Sequence, residues 1–146
     1  MRIEIKPPAD IDVDALEDEM LRAVEATLKG AAQIVLNDSR AAIARGPKTG
    51  TVYKRRGIRH QASAPGEPPA TDTGSLASSG VADAKGLEAF VVYRMVYAKW
   101  LEYGTRHIAP RPFLFPAAER NRQRIGDMVR LAIQTAWSQW QSKRRT

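Results

Sequence analysis

The stretch that runs from Leu16-Glu17-Asp18-Glu19-Met20 to Ile43-Ala44-Arg45-Gly46-Pro47 sets the frame of the molecule. Its apolar positions, Leu16, Met20, Val24, Leu28, Ala31, Val35 and Ile43, recur at steps of three or four residues, apart from a gap around Ser39. That spacing predicts one face of an amphipathic helix of about 30 residues, ending near Gly46-Pro47. Asp10, Asp12 or Asp14 suits its N-terminal cap, where a carboxylate meets unpaired N–H groups and the positive end of the helix dipole. Such length exceeds the usual globular helix. It calls for packing beyond a compact core, and a neighbouring subunit is one source.

Upstream, Arg2 to Lys6 alternates polar and apolar residues, as a short strand does, and Pro7-Pro8 ends it. Downstream, residues 46–75 are punctuated by glycine and proline and hold almost no large aliphatic residue. Within the extended basic loop at 46–71, Thr51 to Arg56 and Ile58 to Gln61, separated by Gly57, suit a small hairpin. Order resumes at Asp72-Thr73-Gly74-Ser75-Leu76, where Asp72 or Thr73 suits the cap of a short helical turn. Val81 to Lys85 and Leu87 to Val96 read as two strands around Lys85-Gly86, the second rich enough in β-formers to be covered on both faces.

Tyr97 to Tyr103 reads as a short helix with Tyr97 and Leu101 on one face and Gly104 as its terminator. Ala109-Pro110-Arg111-Pro112 must be extended, because each proline fixes its own φ and disfavours helix in its predecessor. Pro116 suits the first turn of a last helix, whose stripe is Ala117, Ile125, Val129, Ala132, Ile133, Ala136, Trp137 and Trp140. The fold class is therefore α+β: a small antiparallel sheet packed by a long N-terminal helix and a C-terminal helix, with a long basic loop or hairpin.

At 146 residues the chain fits a single domain, 1–146. There is no cysteine, so disulfides, thiolate metal sites and cysteine nucleophiles are excluded. No stretch approaches the ~20 apolar residues that span a bilayer, and the N-terminus lacks a signal-like apolar run. The expectation is a soluble protein made in the cytoplasm, with no membrane association. The net charge of +7 is polarised: residues 1–39 hold four basic and nine acidic residues, residues 40–60 seven basic and none acidic. Residues 61–118 balance, and residues 119–146 hold seven basic against two acidic. Separated blocks of opposite sign suit a subunit that docks on copies of itself or on charged neighbours, although each block also reads as a solvated face.

Little in the chain points to catalysis, and no cofactor is expected. His60 and His107 stand far apart, and no zinc or calcium spacing accompanies them. Gly46-Pro47-Lys48-Thr49-Gly50 lacks the context of a phosphate-binding loop. Ser75, Ser78 and Ser79 have no evident base, and Glu17-Asp18-Glu19 fan out around a helix rather than converge. The strongest charged feature is the arm formed by Arg45, Lys48, Tyr53, Lys54, Arg55, Arg56 and Arg59, together with Arg40. It suits docking on an acidic protein surface or tracking nucleic-acid phosphates, or is simply solvated. Trp137 and Trp140 read as core at helical spacing, or as a subunit contact.

Two segments are specific enough to suggest a family. Tyr97-Ala98-Lys99-Trp100-Leu101-Glu102-Tyr103-Gly104-Thr105, followed by Ala109-Pro110-Arg111-Pro112-Phe113-Leu114-Phe115-Pro116-Ala117, resembles the signature of the tail-completion, or head–tail joining, proteins of lambda-like siphophages and prophages. Asp72-Thr73-Gly74-Ser75-Leu76 is similar to a second element of that family, and Ala64 to Pro69 with the basic loop resembles what often precedes it. The likeness spans residues 45–120 and departs after Leu76, where Ala77-Ser78-Ser79-Gly80 is small and polar. The resemblance implies a structural virion protein of the phage neck, a minor tail component without enzymatic activity. It would be assembled in the host cytoplasm as a ring, commonly hexameric, against neck and tail-tube proteins, with possible non-specific contact with phage DNA. A head-closure or tail-terminator ring, or a small nucleic-acid-binding protein, is the alternative. Read physically, the segment is an elbow: Gly104 frees the chain to reverse, and Pro110 and Pro112 stiffen it so that Phe113 and Leu114 reach an apolar pocket. Glu102 and Arg111 are expected to pair across it.

Overall fold

The computed structural model describes residues 13–145. The expected strand at Arg2–Lys6 and the candidate caps Asp10 and Asp12 lie outside them. In chain order the elements are α1 (Val13–Arg45), β1 (Val52–Arg55), β2 (Ile58–Gln61), α2 (Ser75–Ser78), β3 (Gly80–Lys85), β4 (Glu88–Tyr93), α3 (Ala98–Tyr103) and α4 (Leu114–Lys143). The architecture is α+β, with two antiparallel two-stranded sheets, β1–β2 and β3–β4.

The 33-residue α1 is the helix that the apolar spacing requires. It buries Val24, Ala31, Ala32, Val35, Leu36 and Ile43. The gap at Ser39 is a buried polar contact rather than a break in the stripe. Its hydroxyl donates to the Leu36 carbonyl at 2.8 Å, which leaves the Tyr93 phenol to donate to it at 2.7 Å. Burial raises the Tyr93 phenol above its usual range, opposed by the Ser39 hydrogen bond. No buried side-chain polar atom among the described residues is left without a partner, as the cost of burying an unpaired polar group requires.

α4 runs antiparallel to α1 and is fastened near both ends. Arg120 Nε and Asn121 Nδ2 reach Asp38 at 3.2 and 2.9 Å, and Lys143 Nζ reaches Glu19 at 2.9 Å. A 30-residue α4 thus gives α1 a partner along its length within the same chain. Ala31, Ala32, Ala117 and Ala136 are buried between the elements, and such small side chains let helix axes approach closely.

The β3–β4 hairpin lies on another side of α1, paired from Gly80↔Tyr93 to Lys85↔Glu88. β3 runs antiparallel to α1. Arg40 donates to the carbonyls of Ala77 and Gly80 at 2.9 and 2.8 Å, Lys29 meets Asp83 at 3.4 Å, and Glu25 accepts the Gly86 N–H at 2.8 Å. Arg40, which the sequence places in the basic block, is therefore a strut between α1 and the sheet. β4 is covered on one face only, contrary to its β-rich composition: Phe90 and Val92 are each 47% exposed. The reason is geometric, because α1 covers one side of the hairpin and α4 packs mainly on α1. β4 also stops at Tyr93, short of Val96, where the chain turns into α3.

Candidate functional site

The two motif segments, separated in sequence by β3 and β4, meet in space. Phe113, at 2% exposure, sits in a cluster with Ile43, Leu76 and Ala98, edge-on to Tyr93 with ring centroids 4.9 Å apart. Leu101 and Leu114 pack around the cluster. Beside it, Arg55, Asp72, Thr73, Gly74, Leu76, Tyr97 and Leu101 line a shallow cleft of about 280 Å³. The expectation that proline-stiffened chain delivers Phe113 and Leu114 to an apolar pocket is met.

The expected Glu102–Arg111 pair does not form. Glu102, 8% exposed, points its carboxylate at the start of α4. Its Oε2 accepts the N–H groups of Phe113 and Leu114 at 2.9 and 3.0 Å, and its Oε1 accepts that of Phe115 at 2.7 Å. A helix leaves its first four N–H groups unpaired. Here Glu102 satisfies three, and the fourth position is Pro116, which has none. The N-cap residue, Phe113, offers no side-chain cap of its own. Backbone donors at the positive end of the dipole thus outcompete the guanidinium for this carboxylate.

Arg111 is turned instead toward the loop before the motif. Its Nε and Nη2 donate to the Ser63 carbonyl at 3.3 Å each, and its N–H to the Leu101 carbonyl at 2.6 Å. Gly66 N–H bonds the Pro110 carbonyl at 2.9 Å, so the loop and the proline segment are stitched together. Gly104 ends α3 at φ +74°, ψ 177°, a region open essentially to glycine alone. Thr105 Oγ1 then accepts the N–H groups of His107 and Ile108, both at 3.1 Å, closing the turn.

The first motif is also capped differently from expectation. Gly74, at φ +75°, is the N-cap of α2, with no side-chain cap bond. Thr73 Oγ1, one residue before the cap, engages Ser75 Oγ at 2.6 Å and accepts the Ser75 N–H at 3.4 Å, and Thr71 Oγ1 accepts the Gly74 N–H at 3.0 Å. Asp72 is occupied elsewhere. It accepts a hydrogen bond from Arg55 and lies 3.7 Å from His60 Nδ1. A capping site has thus become the anchor of the arm, because the β1–β2 hairpin brings the Arg55 guanidinium to it, with His60 alongside.

The arm is an ordered hairpin. Its two-residue turn, Arg56-Gly57, has φ +52° and +79°, as the tight turn that matches strand twist demands. At its root Gly50 N–H bonds Ala62 O and Ala62 N–H bonds Thr51 O. Glu67, the sole acid between Gly46 and Thr71, accepts from the Thr49 hydroxyl, from Thr49 N–H at 2.9 Å and from Ala64 N–H at 2.8 Å. Those hydrogen bonds, the Thr49 hydroxyl foremost, hold its carboxyl below the usual carboxylate range. Sequence reasoning missed Glu67, although a lone acid in a basic loop is a signal of a local clamp. Lys48 Nζ returns to the Gly46 carbonyl at 2.9 Å, and Arg45 is exposed at the end of α1. Tyr53 stacks on His60 at 5.6 Å. Lys54, Arg56 and Arg59 stand exposed.

Among the described residues, no group of three or more His, Asp or Glu could hold a metal ion, and no helix is long and apolar enough to cross a membrane. At the far end of α4, Trp140 is buried and stacked on Trp137, which is 42% exposed. No family model, curated protein or solved structure matches the chain.

Proposed function

We propose that the chain is a structural ring subunit of a phage neck, completing the tail and joining it to the head. One observation carries the reading: the two segments that resemble the tail-completion signature pack against each other around Phe113, with the basic loop tied to both, by Arg55 to Asp72 and by Arg111 to Ser63. A motif whose parts converge on one elbow behaves as a unit. Its buried carboxylate, Glu102, is engaged in holding backbone, which suits a part that must keep its shape. Exposed Leu87, Phe115, Leu131 and Trp137 offer the large apolar side chains on which subunits associate.

In this reading the protein is a virion component at the head–tail junction, works without cofactor or catalysis, and forms a homo-oligomeric ring against neck and tail-tube proteins. The test is twofold. Sedimentation velocity and native mass spectrometry are expected to detect a closed oligomer, a hexamer by the resemblance, and particles made without the protein are expected to contain unjoined heads and tails. Normal, infectious particles in its absence would defeat the proposal.

A further inference from the structure

Antiparallel pairing places directly opposed residues on one face of a hairpin. The register Tyr53↔His60, Lys54↔Arg59, Arg55↔Ile58 therefore gives β1–β2 two unlike faces. One carries Tyr53, Arg55, Ile58 and His60. It is turned to the body of the protein, where Arg55 and His60 reach Asp72. The other carries Lys54 directly opposite Arg59, two like charges side by side, with Arg56 beyond them at the tip. Like charges directly opposed destabilise a strand pair. Among the described residues no ion pair is formed by Lys54, Arg56 or Arg59; residues 40–60 contain no acid, and Asp72 is bound on the other face. Among the described residues, each of the two strands packs mainly on the other, and Lys54, Arg56 and Arg59 are exposed.

A basic face of this kind suits a polyanion. An acidic surface on a second copy is the weaker match, because the acids of α1 are largely engaged at home. Glu19 holds Lys143, Asp18 meets Arg22 at 3.6 Å, and Glu25 holds Gly86. A two-stranded ribbon with strands about 4.8 Å apart fits the ~12 Å major groove of B-form DNA, whereas the deep, narrow groove of duplex RNA excludes it. We propose that the β1–β2 hairpin binds the phosphate backbone of duplex DNA, without regard to sequence, through Lys54, Arg56 and Arg59. The inference does not depend on the neck reading, since it concerns the isolated protein and any duplex.

The test measures binding of the full chain to a random-sequence DNA duplex over a range of salt concentrations. Each phosphate contact contributes about −0.9 to the slope of log affinity against log salt. Three contacts make a fourfold rise in salt cost about 40-fold in affinity. The triple variant Lys54→Gln, Arg56→Asn, Arg59→Gln is expected to bind equally less well to unrelated sequences and to lose at least about 2 from the slope. The charge-matched control Arg122→Gln, Arg124→Gln, Arg130→Gln on α4 is expected to keep the slope within about 1. Circular dichroism establishes that both variants are folded. An unchanged slope in the hairpin variant overturns the proposal. An equal loss in the two variants also overturns it, because net charge alone would then be responsible. Absence of duplex binding at low salt overturns it as well, and salt-sensitive self-association abolished by the hairpin variant would then assign the face to an acidic copy of the chain.

Discussion

Glu102 offers the sharpest test of how the elbow is held, through Glu102→Ala and Glu102→Gln. The carboxylate accepts three backbone N–H groups at 2.7 to 3.0 Å from a nearly buried position. An ordinary N-cap side chain accepting one such bond contributes about 1 kcal/mol. Charge at a partly buried helix N-terminus adds up to about 2 kcal/mol. The buried Phe113 N–H, left unpaired, costs about 1–3 kcal/mol more, whereas exposed Phe115 can turn its donor to water. These terms overlap, and the expected loss for Glu102→Ala is about 3–4 kcal/mol, with about 2 kcal/mol for Glu102→Gln, which keeps one acceptor and loses the charge. For a chain of this size that is a fall in Tm of about 6–15 °C for the alanine variant. Urea unfolding followed by far-ultraviolet circular dichroism reads both, repeated at two protein concentrations because self-association shifts apparent stability. A double-mutant cycle with Arg111→Ala should give a coupling under about 0.5 kcal/mol, since the two side chains serve different partners. A loss below about 1 kcal/mol for the alanine variant, or strong coupling to Arg111, would refute the capping account.

Gly104→Ala should destabilise by about 1–3 kcal/mol or more, because the backbone conformation is closed to alanine and its Cβ would lie 2.8 Å from the Ile108 carbonyl; wild-type stability in a thermal melt would contradict this. Tyr93→Phe should cost about 1 kcal/mol by denaturant titration, as Ser39 keeps its bond to Leu36 but loses its donor. The depressed Glu67 carboxyl sets a sign for pH: the stability its clamp gives the arm's root is fully present above the ordinary 4.5 and is lost as pH falls through the lower value of the folded protein. Amide exchange at Ala64 and Thr49 should therefore lose protection in acid, and Glu67→Gln should remove that dependence; equal acid sensitivity in the variant would count against the clamp.

Much of the fold was legible because it is written in periodicity. The apolar steps of α1, the β-rich run of β4, Gly104 and Pro116 each act through a local rule, and the elements formed there, although β4 ends at Tyr93 rather than Val96. The Ser39 gap was readable only as an interruption, since its partner lies on β4. Charge was the poorest guide. Arg40 and Arg111 bind carbonyls, Asp72 anchors the arm instead of capping α2, and Glu102 serves backbone N–H groups rather than Arg111. Backbone donors and acceptors carry no letter in a sequence, so any side chain that serves them from a distance is invisible there. One signal was available: the residues before Leu114, Pro112 and Phe113, cannot cap a helix. A helix without a local cap needs a remote one, and the nearest buried-face carboxylate was Glu102.

The cap has a consequence for how the molecule can be altered. α3 and α4 are joined by ten residues of chain, but the Glu102 cap, the Arg111 N–H bond to the Leu101 carbonyl and the packing of Phe113 with Ala98 bridge the gap directly. The connecting strand of chain is then a tether, not a gauge. Its exposed tip at Arg106-His107 can be lengthened without changing the angle between the helices, which makes it the natural place to carry an epitope or a fluorophore.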